Sequence, residues 1–181
     1  RLALGRRAVA PPPPPPPPTT PVTCRFTVDN YVVRVEIDDV DRTGSVSGPL
    51  LEAVSPTASW MALNTISFES NAVKLRVCGY DAYPPPRVSD YTAAAGFLMA
   101  CDDGGVGTTW GDVVSDTSSG WSAVTYSDAT FVTATSSPRT PVKSRSGFFC
   151  QGCGLSSTSR TPEKIWQGVD AQYVCFTYTS A

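Results

Sequence analysis

From residue 22 onward, apolar and polar side chains alternate in short runs rich in Val, Thr, Phe and Tyr, with turn residues between them. A period of two sends successive side chains to opposite faces, so these runs predict strands at 23–29, 32–37, 72–80, 94–101, 130–134, 146–149 and 173–178. Asp38-Asp39 and Asp102-Asp103-Gly104-Gly105 supply turn chemistry between or after them. No stretch sustains an apolar 3.6-residue repeat over three turns, and residues 48–62 have room for one short helical turn only. Roughly eight strands in one domain predict an all-β fold, with a two-sheet β-sandwich favoured.

Ahead of that domain the pattern changes twice. Arg1-Leu2-Ala3-Leu4 alternates long enough for one short strand, and residues 1–10 are too few to build a core. Pro11, Pro12, Pro13, Pro14, Pro15, Pro16, Pro17 and Pro18 follow without interruption. Such a run lacks the N–H groups of a helix or sheet, so it predicts a polyproline II rod about 25 Å long at ~3.1 Å per residue. The expected organisation is therefore an extended tail at 1–10, a polyproline linker at 11–21 and a sandwich domain at 22–181.

Composition narrows the function classes. Histidine is absent, which excludes Ser-His-Asp and Cys-His catalysis and most catalytic zinc sites. Lys+Arg 14 against Asp+Glu 16 gives a net charge of −2, without the basic excess of a nucleic-acid binder. The longest apolar run, Ala93 to Cys101, is far below the ~20 residues that span a bilayer. Six cysteines, at 24, 78, 101, 150, 153 and 175, form an even set that fits three disulfides in an oxidising compartment. From the residues alone, all 15 pairings stay open. Cys150-Gln-Gly-Cys153 has no second close pair to complete a zinc site. Abundant Ser, Thr and Pro, and more Arg than Lys, point the same way, to an extracellular protein. The first residue is Arg1 rather than Met, so a preceding segment is expected.

Candidate chemistry is sparse. Asp38-Asp39-x-Asp41 and Asp102-Asp103 have the oxygen ligands Ca²⁺ would want, but solvated hairpin tips explain them more simply, and no metal or cofactor is expected. Sixteen scattered acids identify no acid/base pair for glycoside hydrolysis, so the chain is read as non-enzymatic. Trp60, Tyr83, Tyr91 and Trp110 fall in expected loops, where aromatic rings can stack on sugars. Trp121 and Trp166 read as core instead. No Asn-x-Ser/Thr sequon occurs. Pro84-Pro85-Pro86 reads equally as a rigid loop and as a second modified cluster.

Two resemblances extend these readings. Phe26 to Val35 around Asp29-Asn30, Asn71 to Val77 after Ser70, Gly96 to Ala100, Ser115-Asp116 with Trp121, and Ile165-Trp166 with Tyr173 to Phe176 resemble, in order, the galactose-binding-like jelly roll. That resemblance implies neighbouring first and last strands, hence Cys24 with Cys175; Cys78 with Cys101 would then bracket the proline-containing loop between two strands, with Cys150 and Cys153 left to each other. The proline run joined to a cysteine-bearing domain resembles the hydroxyproline-rich glycoproteins of green-algal walls and extracellular matrices, such as pherophorins. It implies hydroxylation and O-glycosylation of Pro11 to Pro18, with Thr19 and Thr20 as further acceptors.

Residues 1–25 carry four arginines and no acid, leaving a charge of −6 on the rest of the chain. A basic tail held ~25 Å from its own acidic domain reaches a neighbour more readily than itself, and open head-to-tail contacts generate filaments. The expectation is an extracellular fibre or matrix subunit whose partners are copies of itself. Leu2 and Leu4 would sit in apolar pockets of the next subunit, with Arg6 or Arg7 facing carboxylates, by strand addition at a sheet edge. The alternative is a monomeric carbohydrate-binding module on a proline stalk.

Overall fold

A computed structural model of the chain describes residues 12–13, 19–29, 31–48, 63–81, 96–143, 155, 160–167 and 173–180. They form two antiparallel five-stranded sheets packed face to face, so the protein is an all-β sandwich. The strands are β1 (Pro21–Asp29), β2 (Tyr31–Ile37), β3 (Val40–Asp41), β4 (Asn64–Glu69), β5 (Lys74–Tyr80), β6 (Gly96–Asp102), β7 (Ser122–Tyr126), β8 (Val142–Lys143), β9 (Ile165–Trp166) and β10 (Tyr173–Thr179). One sheet runs β4-β1-β6-β9-β8 and the other β3-β2-β5-β10-β7.

Alternation drives this arrangement. Val22, Cys24, Phe26 and Val28 of β1 and Phe97, Met99 and Cys101 of β6 face the second sheet, which returns Val35, Leu75, Val77, Val174 and Phe176. Phe97 and Phe176 stack across the gap at 4.7 Å, and Trp121 meets Phe97 edge-on at 5.1 Å, an arrangement aromatic pairs prefer. The sheets approach closely at Gly79, where a Cβ would stand 2.2 Å from Val28 Cγ1, so only glycine fits.

The hairpin between β2 and β3 turns on Asp38 and Asp39, both at positive φ (50° and 63°), as a two-residue loop of matching twist requires. Asp38 Oδ1 accepts hydrogen bonds from the N–H groups of Val73 and Lys74, fixing the hairpin to the start of β5.

The disulfides correct the pairing implied by the jelly-roll resemblance. Cys24 is joined to Cys101 and Cys78 to Cys175. β1 and β10, the first and last strands, lie in different sheets, so Cys24 and Cys175 are not neighbours. Register instead sets Cys24 opposite Cys101 on β1 and β6, and Cys78 opposite Cys175 on β5 and β10. Each bridge ties adjacent strands of one sheet. Cys150 and Cys153 lie outside the described residues, as do residues 146–149, 49–62 and Pro84-Pro85-Pro86.

Five expected strands correspond to β1, β2, β5, β6 and β10. The one expected at 130–134 is absent. Asp128 caps that segment by accepting from the Thr130 N–H and hydroxyl, Phe131 takes φ 54°, and Val132 is left 80 % exposed, so the segment is a loop. Strand β4 was not anticipated, although Ile66 and Phe68 alternate with Thr65 and Ser67 in the ordinary way.

Candidate functional site

The outer face of the second sheet is where polar and aromatic side chains gather without a covering layer among the described residues. Residue parity assigns it. Since Leu75, Val77, Val174 and Phe176 face the core, Arg76, Cys78, Tyr80, Tyr173 and Cys175 face outward. On β2 an irregularity between Val32 and Arg34 shifts the register, so both Val33 and Arg34 stay on the outer side.

Register then places four tyrosines in one row across four strands. Tyr31 is opposite Tyr80, Tyr80 opposite Tyr173 and Tyr173 opposite Tyr126. Tyr31 and Tyr80 stack at 6.0 Å and 14°, and Tyr80 and Tyr173 at 4.6 Å and 19°. All four are half-buried. Phe131, carried in by its left-handed turn, closes one end by meeting Tyr126 and Tyr173 edge-on at 5.5 and 6.1 Å. Burial, then the neighbouring Tyr173 and Asp81, push the Tyr80 hydroxyl above its ordinary range, so Tyr80 keeps its proton at neutral pH.

The next rows carry the disulfide and a charge cluster. Glu36, whose side chain is 6 % exposed, is held by Arg34 Nε at 2.7 Å and Arg76 Nη1 at 3.1 Å. Arg76 Nη2 donates to the Tyr126 hydroxyl at 2.7 Å and lies 3.3 Å from Cys175 Sγ, while its guanidinium carbon sits 5.5 Å from the Tyr126 ring centre. A buried carboxylate between two arginines is satisfied, and it fixes Arg76 against the aromatic row.

Other candidates resolve into structure. Trp110 is fully buried and donates its indole N–H to the Ala72 carbonyl at 2.9 Å, which corrects the expectation of an exposed sugar-stacking ring. Trp60, Tyr83 and Tyr91 lie outside the described residues. Trp121 and Trp166 are core residues, as expected. Asp103 is buried, which disfavours its charge, but donors from Thr108, Gly105 and Gly107 outweigh this and hold its carboxyl below the ordinary range. Asp116 behaves alike: burial opposes ionisation and the hydrogen bonds of Ser119 and Ser118 outweigh it, with Arg160 Nη2 as a further partner. Both carboxylates organise loops. Among the described residues no three His, Cys, Asp or Glu side chains are grouped to hold a metal ion, and no helix is long and apolar enough to cross a membrane.

Of the N-terminal residues singled out in the sequence, Pro12, Pro13 and Thr19 are exposed and Thr20 is half-buried. Leu2, Leu4, Arg6, Arg7, Pro11 and residues 14–18 lie outside the described residues. Thr20 is anchored: its N–H donates to Ser70 Oγ at 3.0 Å, and its carbonyl accepts from the Ser70 N–H at 2.8 Å. Comparison of the chain with family models, curated proteins and solved structures finds no match.

Proposed function

We propose that this chain is an extracellular, non-catalytic structural glycoprotein, a subunit of a fibre or matrix joined head to tail through its N-terminal segment. The observation that carries the reading is the polarity of the sandwich. The N-terminal segment leaves beside Ser70, at the start of β1, whereas the tyrosine row lies beyond the far end of β1 and on the opposite sheet. A donor segment at one end and an aromatic face at the other suit heterologous contacts that repeat without closing. Two disulfides within one domain fit an oxidising compartment. Hydroxylated and glycosylated Pro11 to Pro18, with Thr19 and Thr20, belong to this reading, as do Leu2 and Leu4 as apolar anchors and Arg6 and Arg7 as charges toward an acidic neighbour.

Sedimentation velocity on the chain with and without residues 1–18 tests the proposal. The intact chain is expected to polymerise and the truncated chain to remain a folded, disulfide-bonded monomer. The same polymers from both chains would overturn it. The tyrosine row also favours a second reading, a monomeric carbohydrate-binding module, because aromatic rings on an outer face can stack on sugars. That reading requires a monomeric intact chain.

A further inference from the structure

Resting on head-to-tail assembly, we infer that the row Tyr31–Tyr80–Tyr173 is the docking surface for the proline run, Pro11 to Pro18, of a second copy of this chain. Three independent observations converge on that occupant.

The first is chemical. A run of prolines has no N–H donor, and a polyproline II rod makes no internal hydrogen bonds, so every carbonyl on it is an unsatisfied acceptor. The outer face offers donors to match: the hydroxyls of the tyrosine row and the Arg34 guanidinium one row away. Glu36, buried on this face, is already paired with Arg34 and Arg76, so its charge is offset before the carbonyls arrive. Aromatic rings are the usual seats for proline rings in polyproline recognition.

The second is dimensional. A polyproline II rod repeats every three residues, about 9.3 Å at ~3.1 Å per residue. Tyr31 and Tyr173 stand on alternate strands, two spacings of ~4.8 Å apart, or about 9.6 Å. A rod laid across the strands therefore brings prolines three apart onto these two tyrosines in the same orientation, with Tyr80 between them. One rod face in three is used, which leaves the other two for hydroxyl groups and glycans.

The third is connectivity, and it fixes the donor as another copy. Thr20 is tied to Ser70, and only Thr19 and Thr20 separate Pro18 from β1. The nine residues of β1 carry the chain about 26 Å before β2 begins at Tyr31. Two residues span at most about 7 Å, so the run cannot lie across its own tyrosine row.

The test uses the full chain and a synthetic octaproline peptide. Polymers of the full chain are expected to dissociate as octaproline is added, and Tyr80→Ser and, separately, Tyr31→Ser are expected to weaken peptide binding at least tenfold and to abolish polymerisation. Near-ultraviolet circular dichroism and retained disulfides report folding, and Tyr31→Ser, at the end of the row, serves where Tyr80→Ser fails to fold. Unchanged octaproline binding by folded variants overturns the inference. So does a row that binds a hexose oligosaccharide but not octaproline. If folded tyrosine variants still polymerise while the chain lacking residues 1–18 does not, the docking surface is wrong and head-to-tail assembly stands. If the truncated chain also polymerises, the assembly reading itself is wrong.

Discussion

Replacing Cys78 and Cys175 together by alanine removes a cross-link between residues 97 apart in sequence. The Cys24–Cys101 bridge, which spans 77 residues, remains. Because the two loops overlap, the retained bridge shortens the second loop only slightly, to an effective length of about 90 residues by treating the two paths around the first loop in parallel. The loop-entropy relation then gives a loss of about 4.6 kcal/mol, at the upper end of the usual ~2–5 kcal/mol. For a chain of this size that corresponds to a drop of roughly 9–18 °C in Tm. Because the dependence on loop length is logarithmic, the Cys24→Ala/Cys101→Ala variant, with an effective loop of about 72 residues, should lose nearly the same entropic contribution, about 4.4 kcal/mol. With Cys24 bridged to Cys175 and Cys78 to Cys101, the two loops would differ by about 1.7 kcal/mol. The assay is thermal unfolding without reductant, combined with thiol titration in denaturant. Neither double variant should gain free thiols relative to the parent. A loss below about 1 kcal/mol, or two new thiols in either variant, refutes the reasoning.

Further predictions follow from close contacts and buried groups. Gly79→Ala sets a methyl against Val28 Cγ1, which stands 2.2 Å from the position of that carbon, and should destabilise the sandwich by about 1–3 kcal/mol in denaturant titration. Trp110→Phe removes the indole donor of the buried Ala72 carbonyl, which keeps the Ser180 hydroxyl at 3.3 Å, and should cost about 0.5–1.5 kcal/mol, with octaproline and glycan binding unchanged because the ring is core. The folded-state pKa of Asp103 is depressed, so its stabilisation is complete above the unfolded value of about 3.9 and is lost as pH falls through the folded value. Tm measured from pH 6 to pH 2 should therefore fall in acid, and less steeply in Asp103→Asn; identical slopes would contradict this.

What the sequence discloses about this fold is local. Val22, Cys24, Phe26 and Val28 announce β1 by alternation alone, and Asp38-Asp39 announces the β2–β3 hairpin because few residues tolerate two consecutive positive φ values. Trp121 and Trp166 are recognisable as core, whereas Trp110, in an equally loop-like stretch, is buried by packing against Phe68 and Tyr178 from distant strands. β4 was legible in Ile66 and Phe68 and was overlooked. Pairing is not local. Which strand lies beside β1 is set by the packing of whole sheets, so Cys24 finds Cys101 rather than Cys175. The tyrosine row was illegible for the same reason. Tyr31, Tyr80, Tyr126 and Tyr173 are scattered along the chain, and only the register of four strands aligns them.

The central claim is that the N-terminal segment of one copy contacts the outer tyrosine face of another. A photo-crosslinking residue at Pro15, introduced into the full chain and mixed in equal parts as ¹⁴N and ¹⁵N protein before polymerisation, measures this directly. After irradiation and digestion, the account predicts mixed-isotope peptide pairs joining the residue-15 peptide to peptides that contain Tyr80 or Tyr173. Crosslinks found only within single-isotope pairs, or joined to the opposite sheet at Thr65 or Ser67, would contradict it.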